Sequence, residues 1–158
     1  MPTAFTLQEA ALRMLVAAAL ACAIGFNRER KGKPAGLKTF TLVGVGSCLF
    51  TLLALEMIEM FESAESASSG LDPLRVVSGL IGGIGFLGAG TIIQSQGRVE
   101  GVTTAAGLWL TAGLGLAAGL GQHALAGMAG AFALGVLVLM KVLERRLLGR
   151  DVRPDEVS

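Results

Sequence analysis

The chain has 158 residues, 53% of them hydrophobic and only 16% charged, with a formal net charge of +1 and no tyrosine. Its mean hydropathy is +0.67, whereas a soluble domain is normally about 45–50% apolar and about 25% charged. The near-neutral balance excludes the strongly basic footprint of a nucleic-acid-binding domain, and the apolar residues fall in blocks of membrane-spanning length.

A transmembrane helix needs about 20 mainly apolar residues, with about 17–25 tolerated. The first such block runs from Leu7 to Phe26 and carries Ala17, Ala21 and Gly25 at four-residue spacing. Positions four apart share one helix face, and small residues there let another helix approach closely. Arg13 lies inside this block and is expected to pair with Glu9, one turn earlier. Cys22 here and Cys48 in the next block read as packing thiols rather than as a disulfide or metal pair. Ala19-Leu20-Ala21-Cys22 faintly resembles a lipoprotein cleavage site, but the N-terminal nine residues contain no Lys or Arg and the apolar run continues past Cys22. Retention of the block as a span is therefore expected.

The connection from Asn27 to Lys38 sets Arg28, Arg30, Lys31, Lys33 and Lys38 against the single Glu29. Its composition reads first as an anchor on the cytoplasmic side that meets anionic lipid head groups. The sharper reading is a docking surface, because Gly32, Pro34 and Gly36 shape the segment. A second block follows, from Thr39 to Ile58, and after it comes an acidic connection with Glu56, Glu59, Glu62, Glu65 and Asp72. Glutamates repeating every three residues would cluster on a helical extension. A hydrated Mg²⁺ suits such oxygen ligands, but a solvated acidic face is the expected reading.

The third block, Leu74 to Ile93, contains the run GLIGGIGFLGAG from Gly79 to Gly90. Each interior glycine costs a helix about 1 kcal/mol against alanine. A bilayer nevertheless holds the helix, since unpaired backbone groups are intolerable there. Gly79, Gly82, Gly83, Gly85, Gly88 and Gly90 are therefore expected to serve helix packing. Gly83-Ile84-Gly85-Phe86-Leu87-Gly88 matches the dinucleotide fingerprint letter for letter, but that site needs a strand before it and an acidic residue about 20 positions on. Here position 103 is a threonine, so no cofactor is expected. Asp72 suits an N-cap and Pro73 the first helical turn. Arg75, one turn into the block, either snorkels to the surface or pairs with a carboxylate.

The fourth block runs from Thr103 to Leu120, with Thr103 or Thr104 as its expected cap and Trp109 as an interfacial anchor. Gly107, Thr111, Gly115 and Gly119 recur four apart within it. Gly121, Gln122 and His123 make a tight turn into the fifth block, Ala124 to Leu143, which carries Gly127, Ala131 and Gly135. The division expected is a transmembrane domain over 1–145 and a short cytoplasmic tail over 146–158. Basic residues concentrate in the first and third connections and after the fifth block, which orients five spans with the N-terminus out and the C-terminus in. The fold class is thus an all-α integral membrane protein with close, glycine-rich packing. His123 is the only histidine, and no serine or cysteine stands in an activated context, so an enzyme is not expected. The abundant small-residue faces could also serve a symmetric dimer.

Three motifs in order, GFNRERKGKPAGLKTFTLV (Gly25 to Val43), DPLRVVSGLIGGIGFLGAG (Asp72 to Gly90) and GVTTAAGLW (Gly101 to Trp109), resemble the MgtC/SapB family of bacterial inner-membrane proteins. The resemblance covers residues 10–145 and singles out Arg28, Glu29, Gly36, Thr39, Asp72, Arg75, Thr103, Thr104 and Trp109 as family-motif candidates. It departs at Asn27, where the family usually has glutamate, and at Lys38, where it usually has arginine. The chain looks like the short SapB-type form without a soluble C-terminal domain. What the resemblance implies is a role in growth under magnesium limitation or acid stress. The family is commonly labelled as transporting Mg²⁺, while members related to MgtC are thought to bind other membrane proteins, including the ATP synthase. The leading expectation is a non-enzymatic membrane regulator, in contact with lipid, a second copy and another membrane complex. A cation transporter is the alternative, and no metal site is assigned.

Overall fold

The computed structural model describes residues 4–63, 72–95 and 98–147. Five helices carry the fold: α1 (Leu7–Glu29), α2 (Leu37–Ser63), α3 (Pro73–Gly90), α4 (Val102–Gly119) and α5 (His123–Leu147). Between α3 and α4 lies a two-stranded antiparallel hairpin, β1 (Ile93–Ser95) and β2 (Arg98–Glu100), with Gln94 opposite Val99. The protein is an all-α membrane protein apart from this hairpin.

Among the described residues, four helices are long and apolar enough to cross a membrane: Leu7–Glu29, Leu37–Phe61, Val102–Gly119 and His123–Met140. The apolar part of α3, Leu74–Gly90, is shorter. The expected third span to Ile93 is cut back because the chain leaves the helix at Thr91 and enters β1. The second helix, by contrast, runs to Ser63 rather than ending near Ile58. Its extension brings Glu56 and Glu59 onto α2, while Glu65 lies outside the described residues.

The core is a seam where α1, α2 and α4 meet. A Cβ added at Gly25 would lie 2.9 Å from both Leu37 Cα and Phe40 Cβ, and one added at Gly44 would lie 2.6 Å from Ala21 Cβ. One added at Gly107 would meet the Phe40 ring at 3.1 Å, and one at Gly119 would meet Thr51 Cβ at 2.7 Å. At Gly115 an added Cβ would run into the carbonyl of Gly44. These contacts order the helices: α1 runs antiparallel to α2 and α4, while α2 and α4 run parallel. Phe40, Ile24, Leu108 and Leu114 fill the end of the seam nearest the basic connection. Ala17, Cys48, Leu52 and Ala118 fill the other end.

The glycines of α3 behave differently from those of the seam. Gly88 meets Ala105 at an ordinary 3.5 Å, but at Gly79, Gly82, Gly83, Gly85 and Gly90 an added Cβ would meet nothing within 4 Å. These five glycines do not pack against any other described residue. Among the described residues of α3, Ile84 and Gly88 are buried and Val77 and Leu80 half-buried, while Phe86 is 81% exposed. Residues 83–88 are helical throughout, so the fingerprint-like run forms no phosphate-binding turn.

Two local expectations are also corrected. Glu9 completes a capping box with Thr6, its Oε2 accepting from Thr6 N at 2.8 Å. Arg13 instead donates to Gly119 O at 2.9 Å, with its guanidinium 5.3 Å from the Phe5 ring centroid. The carbonyls at the C-terminal end of α4, the negative end of the helix dipole, are a favourable place for this cation. Neither Thr103 nor Thr104 caps α4, because Gly101 occupies that position with φ +84°. Asp72 does cap α3, its Oδ1 accepting from Leu74 N at 2.9 Å, and Arg75 beside it is exposed.

Candidate functional site at the basic end of the bundle

Where α1 ends, Arg28 turns into the protein and is only 4% exposed. Its Nη2 donates to the hydroxyl of Thr104, itself 1% exposed, which ties the end of α1 to the first turn of α4. A buried charge costs heavily unless it is hydrogen-bonded, so Thr104 sits where an acceptor is needed. Arg28 Nε and Asn27 Oδ1 are also buried, and neither has a partner.

The loop after α1 folds back on the same residues. Lys31 N and Lys33 N both donate to Arg28 O, at 3.0 and 3.3 Å, and Gly32 takes the left-handed φ of +60° that this turn requires. The Glu29 carboxylate then reaches across the loop, its Oε2 accepting from Leu37 N at 2.7 Å at the start of α2. A carboxylate there also meets the positive end of the helix dipole. Gly36 lies directly beneath it: a Cβ at that position would come within 2.7 Å of the same oxygen. Ala35 is buried next to this contact. Lys31 Nζ donates to Leu137 O at 3.1 Å and so fastens the loop to α5.

The structure therefore brings Arg28, Glu29, Gly36 and Thr104 into one place. It does not gather all the motif residues there. Thr39 and Thr103 are exposed beside the site, Trp109 is 53% exposed on the outer surface of α4, and Asp72 and Arg75 begin α3 at the far end. Sequence reasoning placed Cys48 in packing but missed that Gly44, Ser47 and Thr51 join it as the packing face of α2. Their spacing of three, one and three residues places them on one helical stripe, a signal that was available. It also missed that the Asn27 amide oxygen is turned inward, for which the chain offers no local sign. Among the described residues no group of three His, Cys, Asp or Glu side chains could hold a metal ion.

The comparison with known families settles what kind of protein builds this arrangement. The model of the MgtC family matches residues 14–146. The chain belongs to the MgtC family. Among its relatives, the Escherichia coli K12 protein named "Putative magnesium transporter YhiD" is 38% identical over 138 residues, covering 87% of this chain and 63% of that protein. "Protein SrpB" of Synechococcus elongatus is 39% identical over 106 residues, 62% of this chain and 56% of the relative. "Protein SapB" of Bacillus subtilis is 35% identical over 99 residues, 62% of this chain and 42% of the relative. The matched region thus spans less than two thirds of the length of each of these relatives. No solved structure matches the chain significantly. The match contains every element from the middle of α1 through α5, so the Arg28–Thr104 link and the Glu29–Gly36 contact both fall inside the MgtC-family region.

Proposed function

We propose that this MgtC-family chain is a non-enzymatic, multi-pass protein of the bacterial inner membrane that acts as a regulator through contacts with other membrane proteins, in adaptation to magnesium limitation or acid stress. The observation that carries the reading is the contrast between two sets of glycines. Gly25, Gly44, Gly107, Gly115 and Gly119 are filled by neighbouring helices, whereas Gly79, Gly82, Gly83, Gly85 and Gly90 meet no other described residue. Lipid gains nothing from a glycine face that it would not gain from alanine, while a second helix gains close approach. The α3 face is thus suited to a helix from another chain, whether a second copy or a different membrane protein.

The test is capture of partners by the tagged chain from solubilised membranes, combined with its oligomeric state in detergent. Gly83→Leu should leave the chain folded, since the site is open, yet reduce both self-association and partner recovery about tenfold. Gly115→Leu should instead disturb the fold itself. Unchanged association and unchanged partners in a folded Gly83→Leu chain would refute the contact role.

The name of the E. coli relative supports a second reading, transport of Mg²⁺ or another cation. Intramembrane ion paths are normally marked by carboxylates or broken helices near the midplane. In the described residues the seam between α1, α2 and α4 is instead closed by the backbone contacts at Gly25, Gly44 and Gly115. Saturable Mg²⁺ flux into proteoliposomes, lost on Asp72→Ala, would establish transport in place of regulation.

A further inference from the structure

The hairpin β1–β2 joins two helices that are both short for a span. Helices α3 and α4 have 18 residues each, about 27 Å at 1.5 Å per residue, against about 30 Å of hydrocarbon. The contact of Gly88 with Ala105 sets the end of α3 level with the start of α4. Nearly all of α4 must then lie within the hydrocarbon, so the strands spring from its boundary. From Trp109 to Gly119 the helix covers only about 16 Å, far too little to cross, so the crossing needs the turns before Trp109 as well.

The hairpin has the character of that boundary. Ile93 and Val99 are 59% and 58% exposed, and Ile92 and Val102 at the base are exposed too. Ile93 is paired with Glu100 and Val99 with Gln94, so apolar side chains stand clear on both faces. Among the described residues neither strand packs extensively on a helix. A two-stranded hairpin is at best marginally stable in water and needs an apolar surface to hold it. A protein partner would cover one face, whereas acyl chains surround both. The depth also has a limit. The outer strand edges carry N–H and C=O groups that hydrocarbon cannot satisfy, and the half-buried Glu100 and exposed Arg98 are ionisable. Apolar side chains keep the hairpin out of water, and its edges keep it out of the bilayer core.

We propose that β1–β2 is an interfacial element that docks onto the lipid surface at the basic end of the bundle. Ile92, Ile93, Val99 and Val102 rest among the uppermost acyl carbons. Arg98, in the strand pair farther from the helices, meets the head-group phosphates, where its planar fork suits anionic lipid. The hairpin thus makes up what α3 and α4 lack in length. Trp109, seven residues after Val102, lies about 10 Å below the boundary, deeper than the interfacial position that its residue type suggests.

The experiment measures tryptophan depth in the full chain, reconstituted into mixed phosphatidylglycerol–phosphatidylcholine vesicles. Nitroxide-labelled lipids carry the label at the head group, high on the acyl chain or near its end, and acrylamide is the aqueous quencher. Trp109 is the only tryptophan, so the unmodified chain reports on α4. Trp109→Phe combined with Ile93→Trp or Val99→Trp reports on each strand. A tryptophan at position 93 or 99 should be quenched most by the head-group and high-chain labels, and by acrylamide several-fold less than free tryptophan is. Trp109 should respond most to the label near the chain end. In the Ile93→Trp chain, Arg98→Gln should raise acrylamide quenching about twofold in the mixed vesicles and leave it unchanged in phosphatidylcholine alone. Full acrylamide access at both strand positions would place the hairpin in water and overturn the proposal. Shielding from lipid labels and acrylamide alike would also overturn it, since a second copy or another protein would then cover the strands. Strongest quenching of Trp109 by the head-group label would do the same, and an equal effect of Arg98→Gln in both vesicles would refute the phosphate contact. Circular dichroism checks that each variant keeps its helices; if one strand variant does not, the other and the unmodified chain decide.

Discussion

Thr104 shows how one hydroxyl can fix the register of two helices. Arg28 is buried because α1 continues one turn past its apolar block and delivers a guanidinium into the space beside α4. A buried polar group left without its partner costs about 1–3 kcal/mol, and more when the group is charged. Thr104→Val keeps the shape but removes the acceptor, so it should destabilise the chain by at least this amount, about 1–3 kcal/mol. Thr104→Ser keeps the oxygen and should recover most of the loss. Thermal unfolding in mild detergent, followed by helical circular dichroism, measures both. Equal midpoints for the valine and serine variants would mean that the hydrogen bond contributes nothing. Lysine at position 28 is not an equivalent test, because it cannot present the same planar fork.

At the scale of elements, the joint between α3 and α4 depends on Gly101. Its φ of +84° is a conformation that residues with a Cβ adopt only at a cost, and an added Cβ would collide with the carbonyl of Thr91. Gly101→Ala should therefore lower stability by about 1–3 kcal/mol, visible as a lower unfolding midpoint. Alanine at Gly79, where no neighbour stands within 4 Å, should instead be neutral or slightly stabilising. The hairpin that Gly101 follows illustrates what the chain does and does not reveal. Helices α1, α2, α4 and α5 are legible because long apolar blocks have few structural alternatives in lipid. The end of α3 is not, because Thr91, Ile92 and Ile93 continue the apolar run and give no stop signal. Only Gln94-Ser95-Gln96-Gly97, a polar stretch closed by glycine, hints at a turn. Within the site, Arg28 and Glu29 could be read as charged loop residues. The burial of Arg28 against Thr104 and the seating of the Glu29 carboxylate over Gly36 arise from contacts 76 and 7 positions away, which no local pattern encodes.

For the whole molecule, the parallel course of α2 and α4 constrains how α3 must run. The seam sets Phe40 beside Gly107 and Thr51 beside Gly119, so both helices start at the basic end and leave it together. The chain must therefore return between Ser63 and Val102, and α3, antiparallel to α4 with Gly88 against Ala105, is the helix that makes the return. Its 18 residues span about 27 Å at 1.5 Å per residue, against about 30 Å of hydrocarbon. The shortfall is small enough for local thinning of the bilayer or for the exposed Arg75 to snorkel. Five crossings are then expected, four of them by the helices that are, among the described residues, long and apolar enough to span a membrane. With basic residues retained inside, the loop at Lys33 and the hairpin at Arg98 should both face the cytoplasm, and the turn at Gln122 should face out. A chain stripped of Cys22 and Cys48, given single cysteines at these positions and probed in intact cells with a membrane-impermeant thiol reagent, tests this order. Labelling should occur at position 122 alone until the cells are opened, after which positions 33 and 98 should react. Labelling of position 98 in intact cells, with position 33 still protected, would mean that α3 does not cross and that the parallel pairing of α2 and α4 is wrong.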